Sequence, residues 1–259
     1  MSSALWVSKT GLSAQDMALR TISNNLANVG TVGFKKDRAV FEDLVYQISQ
    51  QPGGQSSQDS TLPSGIQLGT GVRVASTQKQ FNIGSLQTTE RSLDLAIEGR
   101  GFFQITMPDG SLGYTRTGSF SVNQDGDLVT SQGYTVEPAI NIPQGSTSLT
   151  IARDGTVTVV SQGNQTQVGN LQLVDFVNPT GLEAAGSNLY KETVASGAPL
   201  QSTPGLNGVG EVVQGVLEAS NVSVVEEMVN MVATQRAYEM NARVVSTADQ
   251  MMQYLSQNL

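Results

Sequence analysis

SVVEEMVNMVATQRAYEMNARVVSTADQMMQYLSQNL, residues 223–259, reads as one continuous helix. Ser223 and Glu226 stand as in a capping box, and Glu226 and Glu227 place negative charge in the first turn, where the helix dipole favours it. No Gly or Pro follows Ser223. Two apolar columns run along the segment. One is Met231, Tyr238, Val245 and Met252, spaced by seven; the other is Val229, Ala233, Ala237, Met240, Val244, Ala248, Met251 and Leu255, spaced by three and four. A helix lying on a domain needs one apolar stripe. Two columns, on a helix of about 50 Å, call for more than one partner helix.

The other end of the chain offers one such partner. From Ser3 to Ala27 there is no Pro and Gly11 is the only Gly, while Leu5, Leu12, Leu19 and Leu26 recur every seven residues with Ile22 beside them. Val7, Ala14 and Ala18 line a second, smaller face. That spacing keeps one seam turned to a neighbour, over about 38 Å. Asn28 and Gly30 are stop signals. An antiparallel pair of the two end helices would fill one C-terminal column and leave the other exposed, and exposed apolar stripes of that size mark interfaces.

Between the ends the period changes. Phe102–Ile105, Phe120–Val122, Leu149–Ile151, Thr156–Val159 and Leu171–Val174 are short strand-like runs, punctuated by the hairpin signals Asp109-Gly110, Asp125-Gly126 and Asp154-Gly155. They predict a compact antiparallel domain. Two Gln/Ser/Gly/Pro-rich stretches, 50–71 and 196–215, read as extended connections to the end helices.

Composition narrows the function. The 259 residues carry 14 Lys plus Arg against 22 Asp plus Glu, a net charge of −8, which gives no general attraction for nucleic acid or anionic lipid. Only 14% of residues are charged, so the surface is largely neutral polar, cheaper to desolvate and suited to many neighbours. There is no Cys and no His, which removes disulfides, thiol nucleophiles, the commonest general base and the commonest transition-metal ligand. The first residues do not form a Sec signal, and no apolar run is long enough to span a membrane.

The signals for chemistry are poor. Ser76-Thr77-Gln78-Lys79 matches S-x-x-K by letter, but Val72-Arg73-Val74 before it reads as a strand, not the helix start that the motif needs. Asn123-Gln124-Asp125-Gly126-Asp127 has calcium-loop letters, yet in that register the first position is Ser121 and the twelfth Gln132, so the ends of the ligand set are wrong. Gly69-Thr70-Gly71 and Gly99-Arg100-Gly101 lack a phosphate-binding spacing. Asn221-Val222-Ser223 is a glycosylation sequon by letter on a helix cap. Asp94 and Glu98 could pair, with nothing marking a cleft around them. No catalytic, cofactor-binding or metal residue is expected, and no cofactor.

Further motifs point elsewhere. Ser23-Asn24-Asn25-Leu26-Ala27-Asn28-Val29, Gly33-Phe34-Lys35 and Phe41-Glu42-Asp43-Leu44, with Gln235-Arg236-Ala237-Tyr238-Glu239 and Thr247-Ala248-Asp249-Gln250-Met251, resemble the two terminal motifs of the flagellar rod and hook axial proteins. The resemblance covers the whole chain and is least specific between Gly110 and Gly186. Within that family, Gln51-Pro52-Gly53-Gly54-Gln55-Ser56-Ser57, Leu62-Pro63-Ser64-Gly65, Gly69–Arg73 and Ser202–Gly208 are similar to distal-rod rather than hook sequences.

The resemblance implies a structural subunit of the distal rod, a straight hollow drive shaft built by self-polymerisation, exported by the flagellar type III apparatus without a cleaved signal. It implies as partners other copies of itself, the proximal rod proteins, the hook or hook-base proteins and the P-ring and L-ring bushing, and no nucleic acid. The fold expected is α+β. Long terminal helices (1–30 and 220–259) form a coiled-coil core; connecting regions 31–95 and 190–219 include an extended loop at 51–71; a β-rich outer domain covers 96–189. Self-assembly is expected at Leu5, Leu12, Leu19, Ile22, Leu26, Met231, Tyr238, Val244, Val245, Met251, Met252 and Leu255. Rod stiffening is expected of the loop carrying Pro52, Gly53, Gly54, Pro63 and Gly65, whose prolines limit its freedom. Competing expectations are a proximal-rod or hook subunit, a secreted β-rich binding protein with a concave ligand site, and a peptidoglycan hydrolase, which would need a carboxylate pair or a His.

Overall fold

The structure is a computed structural model and describes residues 3–257 apart from 54, 58, 59, 62 and 162. The chain divides into two compact units. Unit 1 gathers Met1–Leu26, Asp37–Gln78 and Ser223–Leu259; unit 2 gathers Ala27–Lys36 and Lys79–Val222.

Unit 1 contains helix α1 (Ser3–Ala27), strands β1 (Asp37–Asp43), β2 (Gln47–Gln50), β3 (Gln55–Ser57), β4 (Ser60–Thr61), β5 (Ile66–Leu68) and β6 (Val72–Lys79), and helix α2 (Val224–Gln257). α1 stops where Asn28 turns the chain, its carbonyl accepting the Thr31 N–H at 3.1 Å. α2 starts after Ser223, whose carbonyl accepts the Glu227 N–H at 3.0 Å, with Glu226 and Glu227 in the first turn.

The two helices lie side by side and antiparallel. Asn25, near the end of α1, donates to Glu227 at the start of α2, and a Cβ on Gly11, earlier in α1, would stand 3.1 Å from the Asn241 amide farther along α2. The expected coiled-coil core is not present among the described residues. Two α-helices are found among the described residues, and the side chains buried on them are Ser8, Ala14, Ile22 and Asn25 of α1 and Glu227 of α2. A coiled coil needs large apolar knobs on both sides of its seam. The approaches seen between the helices are polar or small, Asn25 to Glu227 and Gly11 beside Asn241. Ile22 is the one large apolar side chain buried on the described parts of either helix, and the heptad leucines Leu5, Leu12, Leu19 and Leu26 are only half-buried. The α+β class stands; the seam does not.

The stretch at 51–71 carries short paired strands. β2 pairs antiparallel with β5, Gln47 opposite Leu68, and β3 pairs with β4. Gly65 has a physical reason to be glycine, because a Cβ there would run into the Gln50 carbonyl oxygen across the ribbon. β1 pairs with β6.

Unit 2 is built of β7 (Leu86–Thr88), β8 (Leu95–Glu98), β9 (Phe102–Thr106), β10 (Leu112–Thr115), β11 (Phe120–Val122), β12 (Leu128–Thr130), β13 (Thr135–Glu137), β14 (Ser146–Ile151), β15 (Thr156–Ser161), β16 (Asn164–Asn170), β17 (Leu173–Asp175), β18 (Glu183–Gly186), β19 (Leu189–Lys191), β20 (Leu200–Ser202), β21 (Glu211–Gln214) and β22 (Val216–Glu218). The main sheet runs β11-β12-β13-β9-β10-β19-β18, with β17 bridging β9 and β20; β14-β15-β16 form a second sheet, and β8 pairs with β21 and β7 with β22. The three Asp-Gly signals all close hairpins, Gly110 between β9 and β10, Gly126 between β11 and β12 and Gly155 between β14 and β15, each at positive φ. Strand alternation on β9 splits adjacent aromatics. Phe103 joins the main core with Ile97, Ile105, Phe120 and Leu173, while Phe102 joins Tyr114, Val174, Phe176 and Tyr190 in a second cluster. This unit extends beyond the expected 96–189, taking in residues 27–36 and the strands on both flanks.

Candidate assembly interface and the motif residues

The terminal motifs divide into residues that close the fold and residues that face outward. The closing set is built around Lys35, whose side chain is fully buried in unit 2. Its Nζ donates to Glu218 Oε1 at 2.6 Å and to the Asn82 carbonyl at 2.8 Å. Glu218 Oε1 also accepts the Gly84 N–H at 2.9 Å, and Glu218 Oε2 accepts Nε of Arg116 at 2.9 Å. The remaining Arg116 donors reach the carbonyls of Ile97, Gly99 and Gly101. Two cations thus share one carboxylate out of water, with every donor of the guanidinium engaged. Such a cluster stands only while complete, because removing one partner leaves buried charge uncompensated. Burial, with repulsion from Arg116, pushes the Lys35 amine below its ordinary pKa despite the opposing pull of Glu218. Burial would raise the Glu218 carboxyl, but the charges of Arg116 and Lys35 outweigh it and hold it below the usual range.

The residues on either side of Lys35 have fitted roles. Gly33 lies at φ +70°, and a Cβ there would come within 2.8 Å of the Thr117 backbone nitrogen. Its own N–H donates to the Glu218 carbonyl at 2.8 Å. Phe34 is buried, with the Lys79 ammonium 5.4 Å from its ring centre. Asn221 accepts the Lys36 N–H at 2.7 Å and donates to the carbonyls of Gln80 and Asn82, so the amide of the sequon is occupied in the fold. In unit 1, Asn25 clasps the backbone of Asp37, accepting its N–H and donating to its carbonyl, both at 2.9 Å. Sequence reading identified Gly33, Phe34, Lys35 and Asn25 by resemblance but missed Arg116 and Glu218. Their nearest clue, a lone acid in an otherwise apolar strand-like run at 216–218, is weak without the partner.

The outward set lies on α2. Gln235, Arg236, Tyr238, Asp249, Gln250 and Met251 are exposed, and Ala237 is half-buried. Among the residues expected to carry self-assembly, Met231 and Val245 are half-buried and Ile22 is buried, whereas Tyr238, Val244, Met251 and Met252 are exposed. The side chain of Leu255 lies outside the described residues. At about 100° per residue, Val229, Met240, Val244 and Met251 share one side of α2, turned away from the side that bears Glu227, Met231 and Val245. That outward side is open: Met240 is 68%, Met251 64% and Val244 49% exposed. On the ribbon, Pro52, Gly53 and Pro63 are exposed, as are Ile48, Ile66 and Leu68; Gly54 lies outside the described residues.

Ser76 and Lys79 sit on β6, a strand. Asn123 Oδ1 accepts the N–H groups of Asp125 and Asp127, which makes that segment a hairpin turn. Asp94 is buried and Glu98 exposed, so they do not form a pair.

Comparison with known proteins finds matches at both ends of the chain and in its middle. Residues 5–35 match the family model described as "Flagella basal body rod protein", residues 96–159 that of the "Flagellar hook protein FlgE/F/G D1 domain", and residues 213–258 that of the "Flagellar basal body rod FlgEFG protein C-terminal". Among similar proteins is the flagellar basal-body rod protein FlgG of Buchnera aphidicola subsp. Acyrthosiphon pisum, 57% identical across 99% of this chain and 100% of that protein. The proteins of the same name from Borreliella burgdorferi and Bacillus subtilis are 46% and 38% identical, over 97% and 98% of both chains.

Proposed function

We infer the function from one premise: this chain belongs to the flagellar basal-body rod protein family and is a structural subunit of the flagellar distal rod. Subunits of that kind polymerise and associate with other components of the basal body and hook. The observation that carries the assembly reading is the open apolar side of α2, with Met240, Val244 and Met251 half or more exposed along it. An apolar side of that length on a free subunit is an interface waiting for a partner. Repetition of one head-to-tail contact that does not close on itself gives a filament.

In this reading Val244 and Met251 meet a neighbouring subunit, while Tyr238 and Met252, exposed on the side of α2 that bears Met231 and Val245, meet another. Leu5, Leu12, Leu19, Leu26, Met231, Val245 and Leu255 contribute where a neighbour completes their half-made contacts, and Ile22 acts inside the subunit. The proximal rod receives one end of the polymer and the hook or hook base the other, the P- and L-rings surround it, and the type III apparatus delivers the chain. The ribbon with Pro52, Gly53, Pro63 and Gly65 wedges against adjacent subunits and keeps the shaft straight. The support for this is its exposed apolar side chains, Ile66 and Leu68 on one face and Ile48 on the other.

Electron microscopy of concentrated purified protein tests the reading. Straight tubes are expected from the whole chain, and curved or flexible ones from a chain lacking residues 53–68. Failure of the whole chain to polymerise at any concentration contradicts the assembly reading, and equally straight tubes from the deletion contradict the wedge.

A further inference from the structure

The open side of α2 also carries sulfur. The chain has eight methionines and no cysteine, so thioethers are its oxidisable sulfurs. Met240 and Met251 are 68% and 64% exposed and lie three turns apart on one side of the helix, about 16 Å along its axis. Met228, Met252 and Met17 are less exposed, at 54%, 43% and 37%, and do not lie on that side of α2; Met107 is packed into the core of unit 2 and Met231 is half-buried.

We propose that Met240 and Met251 are an oxidation site through which peroxide controls whether the free subunit can join others. The inference rests on the reading that this side of α2 is an assembly surface. In the step, a lone pair of the thioether sulfur attacks one oxygen of hydrogen peroxide. The O–O bond breaks, an S=O bond forms and, after proton transfer, water leaves; sulfur is oxidised by two electrons and the peroxide reduced by two. The product is a polar sulfoxide that accepts hydrogen bonds and donates none, set among Val229, Val244 and their neighbours. On the free subunit water satisfies that oxygen, so the fold is unaffected. In a subunit contact it would be buried without a donor, which opposes association.

The test uses the full chain and hydrogen peroxide as the probe. Peptide mass analysis should show one oxygen gained at Met240 and Met251 before Met107. The melting temperature should stay unchanged while the concentration needed for polymerisation rises roughly tenfold or more. Methionine sulfoxide reductases should restore polymerisation. The Met240→Leu/Met251→Leu variant, close to the original in volume, should polymerise after peroxide as before it. Oxidised protein that polymerises like the untreated one, or polymerisation lost to peroxide equally in the leucine variant, overturns the inference and leaves the assembly reading intact. Normal polymerisation by untreated Val244→Asp instead overturns the assembly reading, and this inference with it. The reductase arm decides the matter on the native sequence should the leucine variant fold poorly.

Discussion

Lys35 and Met251 both belong to the terminal motifs of this chain, and they live in opposite environments. Lys35 is sealed in unit 2 with its ammonium 2.6 Å from Glu218, and Met251 stands 64% exposed on α2. The contrast extends to their neighbours. Gly33, Phe34 and Lys35 are locked to the segment at 218–221 by hydrogen bonds, an ion cluster and a glycine conformation. Gln235, Arg236, Asp249, Gln250 and Met251 are all exposed on their helix. A motif shared across a family of assembling proteins can therefore mix two kinds of residue. Some finish the fold of the subunit, and others remain unfinished until another chain arrives. Substitutions should separate the two by what they damage.

The largest effect on folding is expected at Glu218. Glu218→Ala leaves Lys35 and Arg116 buried without their carboxylate and should cost about 3–5 kcal/mol of stability, read by urea unfolding followed through the near-ultraviolet signal of the unit 2 aromatics. A loss below about 1 kcal/mol would mean that water reaches the cluster.

Acid should loosen the same region next. The Glu218 carboxyl is held below its ordinary range in the folded chain, so the stability it contributes is present above the ordinary glutamate pKa and is lost as pH falls through the folded value. Melting temperature should drop across that acidic window, and Glu218→Gln should flatten the drop. Lys35 has the opposite exposure to pH. Its pKa is lowered in the fold, so between the folded value and the ordinary 10.5 the unfolded chain holds more protons and stability rises with pH. An unchanged acid profile in Glu218→Gln would assign the loss to other carboxylates.

A smaller effect is expected at Gly33. Gly33→Ala puts a Cβ at φ +70° and within 2.8 Å of the Thr117 nitrogen, which should cost about 1–3 kcal/mol in the same unfolding assay. No measurable cost would show that the turn can open at that point.

Much of this architecture is legible in the residue order, and the exceptions have physical causes. Helix ends can be read because caps are local: Asn28 and Ser223 act within one turn. The hairpins can be read because Asp-Gly selects a turn by its own backbone preferences. The coiled-coil core cannot, because heptad spacing states only that a stripe exists. The helices meet through Asn25 with Glu227 and through Gly11 beside Asn241, polar or small residues that an apolar pattern passes over. The ribbon at 47–68 looks like a loop because backbone pairing needs no apolar alternation. The ion cluster is hidden most deeply. Lys35 and Glu218 are separated by 183 positions, and nothing in either neighbourhood names the other.

The smallest effect on folding should accompany the largest effect on assembly, at Val244. Val244→Asp adds a charge on the open side of α2, where water already reaches, so the melting temperature of the subunit should move by no more than about 0.5 kcal/mol would shift it. The most direct measurement pairs that melt with electron microscopy of the same preparation beside the unmodified chain. The account predicts equal melting temperatures, tubes from the unmodified chain and none from Val244→Asp. Tubes of normal number and length from Val244→Asp, at an unchanged melting temperature, would contradict it.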